Sequence, residues 1–242
     1  KDKGDLLKKV IETFLNILYP RRCPVCHDIA VPVGQRICTT CRDKLKPITG
    51  PRCYKCSKPL AHGEQEYCEN CKTTHYFDQG IGIFTYGSVL RESLFQLKYG
   101  NRQEYGVFYG QLAAYYSKNQ IRCWNPQIII PIPLHKKKMA KRGYNQAEII
   151  ASALGKELGL KTDTKTLLRT VYTNPQKDLG YRERKKNLEH AFEVKRKLPW
   201  KNILLVDDIY TTGATIDSAA KVLKKAGAEK VYFLTVGIGT DA

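Results

Sequence analysis

An α/β fold, in which a parallel sheet carries helices on both faces and follows a small cysteine-rich domain, is predicted by three features of this 242-residue sequence. Beyond about residue 75, short apolar runs alternate with helical patterns, as in chains built from βαβ units. Two of those runs, residues 128–132 and 203–206, are apolar throughout rather than alternating, as strands buried on both faces must be. Before residue 75, cysteines recur in C-x-x-C pairs, in a stretch too short to build a core without metal.

The elements follow in order. Residues 1–22 predict an amphipathic helix, because Leu7, Val10, Ile11, Phe14, Leu15 and Leu18 recur at helical spacing. Lys8, Lys9, Glu12 and Asn16 interrupt its apolar run and no small-residue cleavage site follows, so it reads as neither a signal peptide nor a membrane span. Its apolar face is expected to dock on this protein or a dimer mate, with contact to a membrane surface as the lesser alternative. Residues 23–75 form the cysteine domain and residues 76–242 the α/β domain. There, 80–86 reads as a strand, 89–98 and 105–118 as helices, 127–132 as a strand and 145–158 as a helix with Ala147, Ile150, Ala151 and Leu154 on one face. Strands at 202–207 and 230–238 flank a helix over 215–226 that Gly227 stops.

Eight of the nine cysteines form four pairs, Cys23/Cys26, Cys38/Cys41, Cys53/Cys56 and Cys68/Cys71, each starting fifteen residues after the last. A two-residue gap turns both thiolates toward one tetrahedral ion, so four knuckles make two four-sulfur cages. Two structural Zn2+ ions are the preferred reading, with disulfides and rubredoxin-like iron as the competing ones. Sequential pairing of knuckles is simplest; interleaved pairing stays open at this stage. Closed cages have no free coordination position and are assigned no catalysis. His27, His62 and His75 are surplus to the eight thiolates, and Cys123 is expected to be a buried small hydrophobe.

The stretch from 203 to 215 reads I-L-L-V-D-D-I-Y-T-T-G-A-T. An apolar strand ends in two acids, and a Thr/Gly loop then opens a helix. Such a loop aims backbone N–H groups and hydroxyls at a phosphate, while paired carboxylates accept from a diol, a combination that fits a ribose 5-phosphate. Residues 206–215 resemble the phosphoribosyl-pyrophosphate (PRPP) motif of type I phosphoribosyltransferases. The resemblance implies a PRPP-binding sheet of that type, with Mg2+ accompanying PRPP. It places Asp207 and Asp208 on the ribose hydroxyls, and Thr211, Thr212, Gly213, Ala214 and Thr215 around the 5-phosphate. Catalytic residues are not assigned.

Two more segments fall at strand ends. Residues 134–146, L-H-K-K-K-M-A-K-R-G-Y-N-Q, read as a basic loop. His135, Lys136 and Lys137 are the candidates there for a pyrophosphate loop, which the type I family has after a corresponding strand. Residues 169–187 are polar, contain Pro and Gly, and are long enough for a lid.

The order of four knuckles, L-K-Y-G at 97–100, P-I-P-L-H, K-R-G-Y-N-Q-A, R-T-x-x-T-x-P-Q and V-D-D-I-Y-T-T-G-A-T resembles the ComF family of competence proteins, of the ComFC type. This implies a cytoplasmic role in natural transformation, handling single-stranded DNA beside a ComFA-type helicase. The net charge of +18 points to a polyanionic partner. Arg52, Lys55, Lys58, Lys138, Lys141 and Arg142 are the candidate DNA contacts, with Tyr54, Tyr144 and Tyr181 available for stacking. Residues 237–242 offer no aromatic for an acceptor base. A nucleobase-salvage phosphoribosyltransferase and a PRPP-sensing regulator are the alternatives.

Overall fold

The structure is a computed structural model that describes residues 16, 18–61, 63–172 and 190–239. Most of the expected N-terminal helix, His62, Tyr181 and most of the expected lid lie outside the described residues.

The α/β part runs β1 (Gln79–Thr85), α1 (Ser88–Tyr99), α2 (Gln103–Trp124), β2 (Ile128–Pro131), α3 (Lys136–Arg142), α4 (Gln146–Leu158), β3 (Leu167–Arg169), β4 (Phe192–Val194), β5 (Asn202–Tyr210), α5 (Ala214–Lys225) and β6 (Lys230–Ile238). Four of the strands form one parallel sheet in the order β1-β6-β5-β2. β5 is therefore interior, which is why Ile203, Leu204, Leu205 and Val206 are all fully buried.

Alternation along the strands divides two cores. Leu204 and Val206 face α1, α2 and α4, together with Ile129, Leu234 and Val236. Ile203 and Leu205 face α5, whose Ile216, Ala219, Ala220 and Leu223 lie on one stripe. Helix α2 reaches α4 closely at Gly110, where an added Cβ would lie 2.5 Å from the Ile150 carbonyl oxygen. At the far end of α2, the Trp124 indole stacks on Tyr232 of β6 at 4.7 Å and donates to Gln79 Oε1 at 2.7 Å; Gln79 Nε2 in turn donates to the Tyr54 carbonyl.

The cysteine domain is a repeat with a thirty-residue offset. Cys23 N donates to Asp28 O (2.7 Å) and His27 N to Cys23 O (2.9 Å); Cys53 N donates to Lys58 O and Ser57 N to Cys53 O, both at 2.8 Å. His27 and Ser57 both adopt left-handed backbone, with φ of 66° and 67°. Each knuckle folds back through one antiparallel bridge, Arg22 to Ile29 and Arg52 to Pro59. The other cysteine pairs sit on short 3₁₀ helices, Thr39–Lys44 and Glu69–Lys72.

Two expectations are corrected, and one pair of strands is added. The basic segment after β2 is a helix, α3, not a loop: His135 Nδ1 caps it by accepting from Lys137 N, and Gly143 ends it with φ of 80°. β3 and β4 form an antiparallel pair outside the main sheet, too short to read from periodicity. Cys123 is exposed, because Ile121 and Trp124 take the buried face of that turn of α2.

Candidate functional site

β5 delivers its acids to the carboxyl end of the sheet, where parallel α/β folds place ligands. The two neighbouring carboxylates are held by different partners. Asp208 is buried and turns toward α1 and α4, where Lys98 Nζ pairs with Oδ2 and Gln146 Nε2 donates to Oδ1 at 2.9 Å. Asp207 is half-buried, and its Oδ1 accepts the Asp208 backbone N–H at 2.8 Å. Burial and then the Asp208 charge push the Asp207 carboxyl well above the usual range. Burial acts upward on Asp208 too, but the Lys98 ammonium and the hydrogen bonds of Lys98 and Gln146 outweigh it and hold its pKa below the usual value. Lys98 and Gln146 thus favour the charged form of Asp208 more than that of Asp207.

The loop that follows is shaped by its glycine. Gly213 has φ of 81°, and a Cβ there would lie 2.4 Å from the Tyr210 hydroxyl, so both conformation and space call for glycine. Gly213 N-caps α5 and, being glycine, offers no side-chain cap to its first turn. Thr211 is exposed, Thr212 and Thr215 are half-buried, and Ala214 is buried beneath them. The result is a twelve-residue helix presenting its positive end beside two threonines, an arrangement suited to a phosphate.

Cations converge from three elements. Burial first, then the charges of Arg169, Arg142 and Lys98, lower the pKa of Lys138, so each of the three lies within electrostatic reach of it. Burial lowers Arg169 as well, against an opposing pull from Asp207. Arg142 bonds Gln146 Oε1 through Nη1, and its guanidinium lies 5.0 Å from the Tyr99 ring centroid. Lys137 and Lys138 both lie over the Tyr172 ring, at 5.5 and 5.7 Å, and His135 meets the same ring edge-on. A cavity of about 400 Å³ opens beside them, lined by His135, Lys136, Asn145, Arg169 and Glu193 among others.

The sulfur atoms gather as two groups, Cys23, Cys26, Cys38 and Cys41, and Cys53, Cys56, Cys68 and Cys71, each within 4.8 Å of one another. Pairing is thus sequential. Two of the separations, 3.8 Å for Cys26–Cys38 and 3.6 Å for Cys56–Cys68, agree with the roughly 3.8 Å expected between thiolates on a tetrahedral ion with bonds of about 2.3 Å. Hydrogen bonds from Cys56, Cys68 and Cys71 hold the Cys53 thiol below its usual range, while Cys56 and Cys71 are pushed up. Four sulfurs and no other donor fit a closed structural site.

Comparison with known proteins agrees with this division. The double zinc ribbon domain model matches residues 14–72 and the phosphoribosyl transferase domain model residues 138–237. The chain is 29% identical over 219 residues to competence protein F of Haemophilus influenzae, covering 87% of this chain and 93% of that protein. It is 30% identical over 201 residues to competence protein ComFC of Bacillus subtilis, covering 80% of each. The chain belongs to the ComF family. Another relative, the DNA utilization protein YhgH of Escherichia coli K12, is 26% identical over 217 residues, covering 88% of this chain and 94% of that protein.

The ComF motifs quoted from the sequence meet in space: L-K-Y-G supplies Lys98, K-R-G-Y-N-Q-A supplies Arg142 and Gln146, and both serve the acids of the PRPP-like motif. Lys98, Gln146 and Arg169 were not among the residues that sequence reasoning singled out for this site. Their signal lay in the resemblance, since three of the motifs already quoted contain Lys98, Gln146 and Arg169. The candidate DNA contacts separate. Lys138, Lys141 and Arg142 lie on α3, with Lys138 and Arg142 drawn into the cationic cluster. Arg52 bonds the Ile48 carbonyl and Lys55 lies 5.6 Å from the Phe77 ring centroid. Lys58 is corrected: it is only 3% exposed, so a passing nucleic acid strand does not meet it. Tyr54 is exposed and meets Tyr67 edge-on, while Tyr144 is tied by its hydroxyl to the Leu97 carbonyl. No helix among the described residues is long and apolar enough to cross a membrane.

Proposed function

We propose that this ComF protein binds PRPP with Mg2+ at the carboxyl end of β5 and handles single-stranded DNA in the cytoplasm during DNA uptake. The observation that carries the reading is one strand end at which two acids, a Thr/Gly phosphate loop and the cations Lys98, Lys138, Arg142 and Arg169 converge. Thr211, Thr212, Gly213, Ala214 and Thr215 cradle the 5-phosphate, and Asp207 and Asp208 face the ribose. His135, Lys136 and Lys137, together with Lys138, neutralise the pyrophosphate, whose charge Mg2+ shares when bound. The names of the relatives, competence and DNA utilization proteins, support the DNA role. Each cage holds one structural Zn2+, and a ComFA-type helicase is the protein partner that the family resemblance brings.

The test is to measure binding of single- and double-stranded DNA with and without PRPP and Mg2+, while assaying pyrophosphate release. Binding of PRPP that is lost in the double variant Asp207→Ala, Asp208→Ala supports the site, and removal of these charged acceptors is expected to cost about 1.5–3 kcal/mol of affinity. Unchanged affinity in that variant overturns it. Pyrophosphate release with a free base and no DNA binding would make the protein a salvage enzyme instead.

A further inference from the structure

The two cages are alike in chemistry but not in what they touch. Cys53, Cys56, Cys68 and Cys71 share one apolar core with Phe77, Tyr210, Ala214 and Ile216, whereas Cys23, Cys38 and Cys41 form a separate cluster around Ala30. Tyr210 ends β5 and begins the phosphate loop. Its ring stacks on Phe233 at 4.8 Å, meets Phe77 edge-on at 6.2 Å, and forms the surface on which Gly213 rests. Its hydroxyl is buried with no donor or acceptor at hydrogen-bond distance among the described residues. The buried cluster that encloses this hydroxyl is the one that also encloses Cys53, Cys56, Cys68 and Cys71, so the sulfurs of the second cage are its buried polar neighbours.

A second route joins the same two places. The 3₁₀ helix that carries Cys71 offers the Asn70 carbonyl to His75 Nε2 at 2.8 Å. His75 Nδ1 faces Asp217 Oδ1 at 3.5 Å, and that oxygen also accepts the Tyr76 N–H at 2.5 Å. Asp217 sits in the first turn of α5 and donates its own N–H to the Gly213 carbonyl at 2.8 Å. Among the described residues the first cage has no such path. Its tyrosine neighbour is Tyr105 on α2, whose hydroxyl donates to the Cys23 carbonyl at 3.1 Å, on the opposite face of the sheet from α5.

We propose that Tyr210 and the His75–Asp217 pair are positioning residues through which the second cage, and not the first, sets the shape of the phosphate loop. A buried hydroxyl left unmet is costly, and a cation-bound thiolate keeps lone pairs able to accept from it. The Cys56 thiolate of the loaded cage is the acceptor that Tyr210 lacks. An ordered second cage therefore holds Tyr210, Tyr210 holds Gly213, and the loop's N–H groups stay aimed at one point.

This rests on reading residues 211–215 as the phosphate loop, and the test separates the two. The full chain loaded with metal is compared with Tyr210→Phe, which removes only the hydroxyl, and with Tyr105→Phe as the matched change beside the first cage. PRPP affinity, metal content and amide exchange over residues 211–217 are read for each. Tyr210→Phe is expected to keep both metals, to weaken PRPP about tenfold, as one hydrogen bond's loss would, and to speed exchange in the loop. Tyr105→Phe is expected to leave loop exchange and PRPP affinity as in the parent. If Tyr210→Phe matches the parent in exchange and affinity, or Tyr105→Phe loosens the loop equally, the coupling is refuted. Faster loop exchange in Tyr210→Phe, in a parent that binds no PRPP, upholds the coupling and refutes the PRPP reading.

Discussion

At the scale of single residues, the site turns on how one buried charge is matched. Asp208 and Lys98 have side chains only 6% and 22% exposed, so removing one partner strands the other in a poor solvent. Lys98→Met is expected to destabilise the fold by about 3 kcal/mol in urea denaturation, and adding Asp208→Asn to recover much of that loss. An unaltered midpoint for Lys98→Met would mean that Asp208 carries no charge in the folded state. The acids and the Thr/Gly loop were legible in the sequence because they are contiguous, and contiguity is what a motif records. Lys98, Gln146 and Arg169 come from 110, 62 and 39 residues or fewer away along the chain; only folding makes them neighbours of the acids, and no local pattern announces a buried ion pair.

Among the elements, strands and helices longer than two turns matched their sequence patterns, since burial imposes a period that a dozen residues display clearly. The exceptions have physical reasons. α3 is seven residues with no buried face, so it has no apolar stripe to read, and its evidence was the cap at His135 and the stop at Gly143. β3 and β4 are three residues each and hold each other rather than the main sheet. The cysteine ladder predicts two metal ions per chain; elemental analysis should find two zincs, and chelation should remove order from residues 23–75, because metal binding is their folding energy. One zinc or none would refute the two-cage reading. At the opposite end of the sheet from the site, Asp78 ties β1 to α5 and β6 through Lys224 at 2.8 Å, Lys230 at 3.3 Å and the Val231 N–H at 2.9 Å. Burial pushes its pKa up, but Lys224, then the Val231 N–H and Lys230, bring it net below the usual value. A depressed folded pKa gives stability that is complete above the unfolded value of about 3.9 and is lost as pH falls through the folded one. Asp78→Asn should therefore lower stability by about 1 kcal/mol at neutral pH and flatten the acid limb below roughly pH 4, as read from thermal melts across pH.

For the molecule as a whole, charge is the dominant fact. A net charge of +18 sets up a long-range attraction for polyanions that salt weakens. If about four phosphates of single-stranded DNA are neutralised, log affinity should fall against log salt with a slope near −3, at roughly −0.7 per phosphate. Replacing Lys136, Lys137 and Lys138 by Ala should flatten the slope if the strand crosses α3, and PRPP should then compete with DNA. Salt-independent binding would remove the nucleic-acid reading. The stack of Trp124 on Tyr232 has its own consequence. The chain has only two tryptophans, and this one, at the end of α2, is stacked on the sheet while its partner Gln79 reaches the third knuckle. Its emission is thus a built-in optical reporter, blue-shifted and quenched while that knuckle stays seated, and Trp200→Phe would leave it as the sole source of light, so that undocking of the knuckle can be followed in real time without a label.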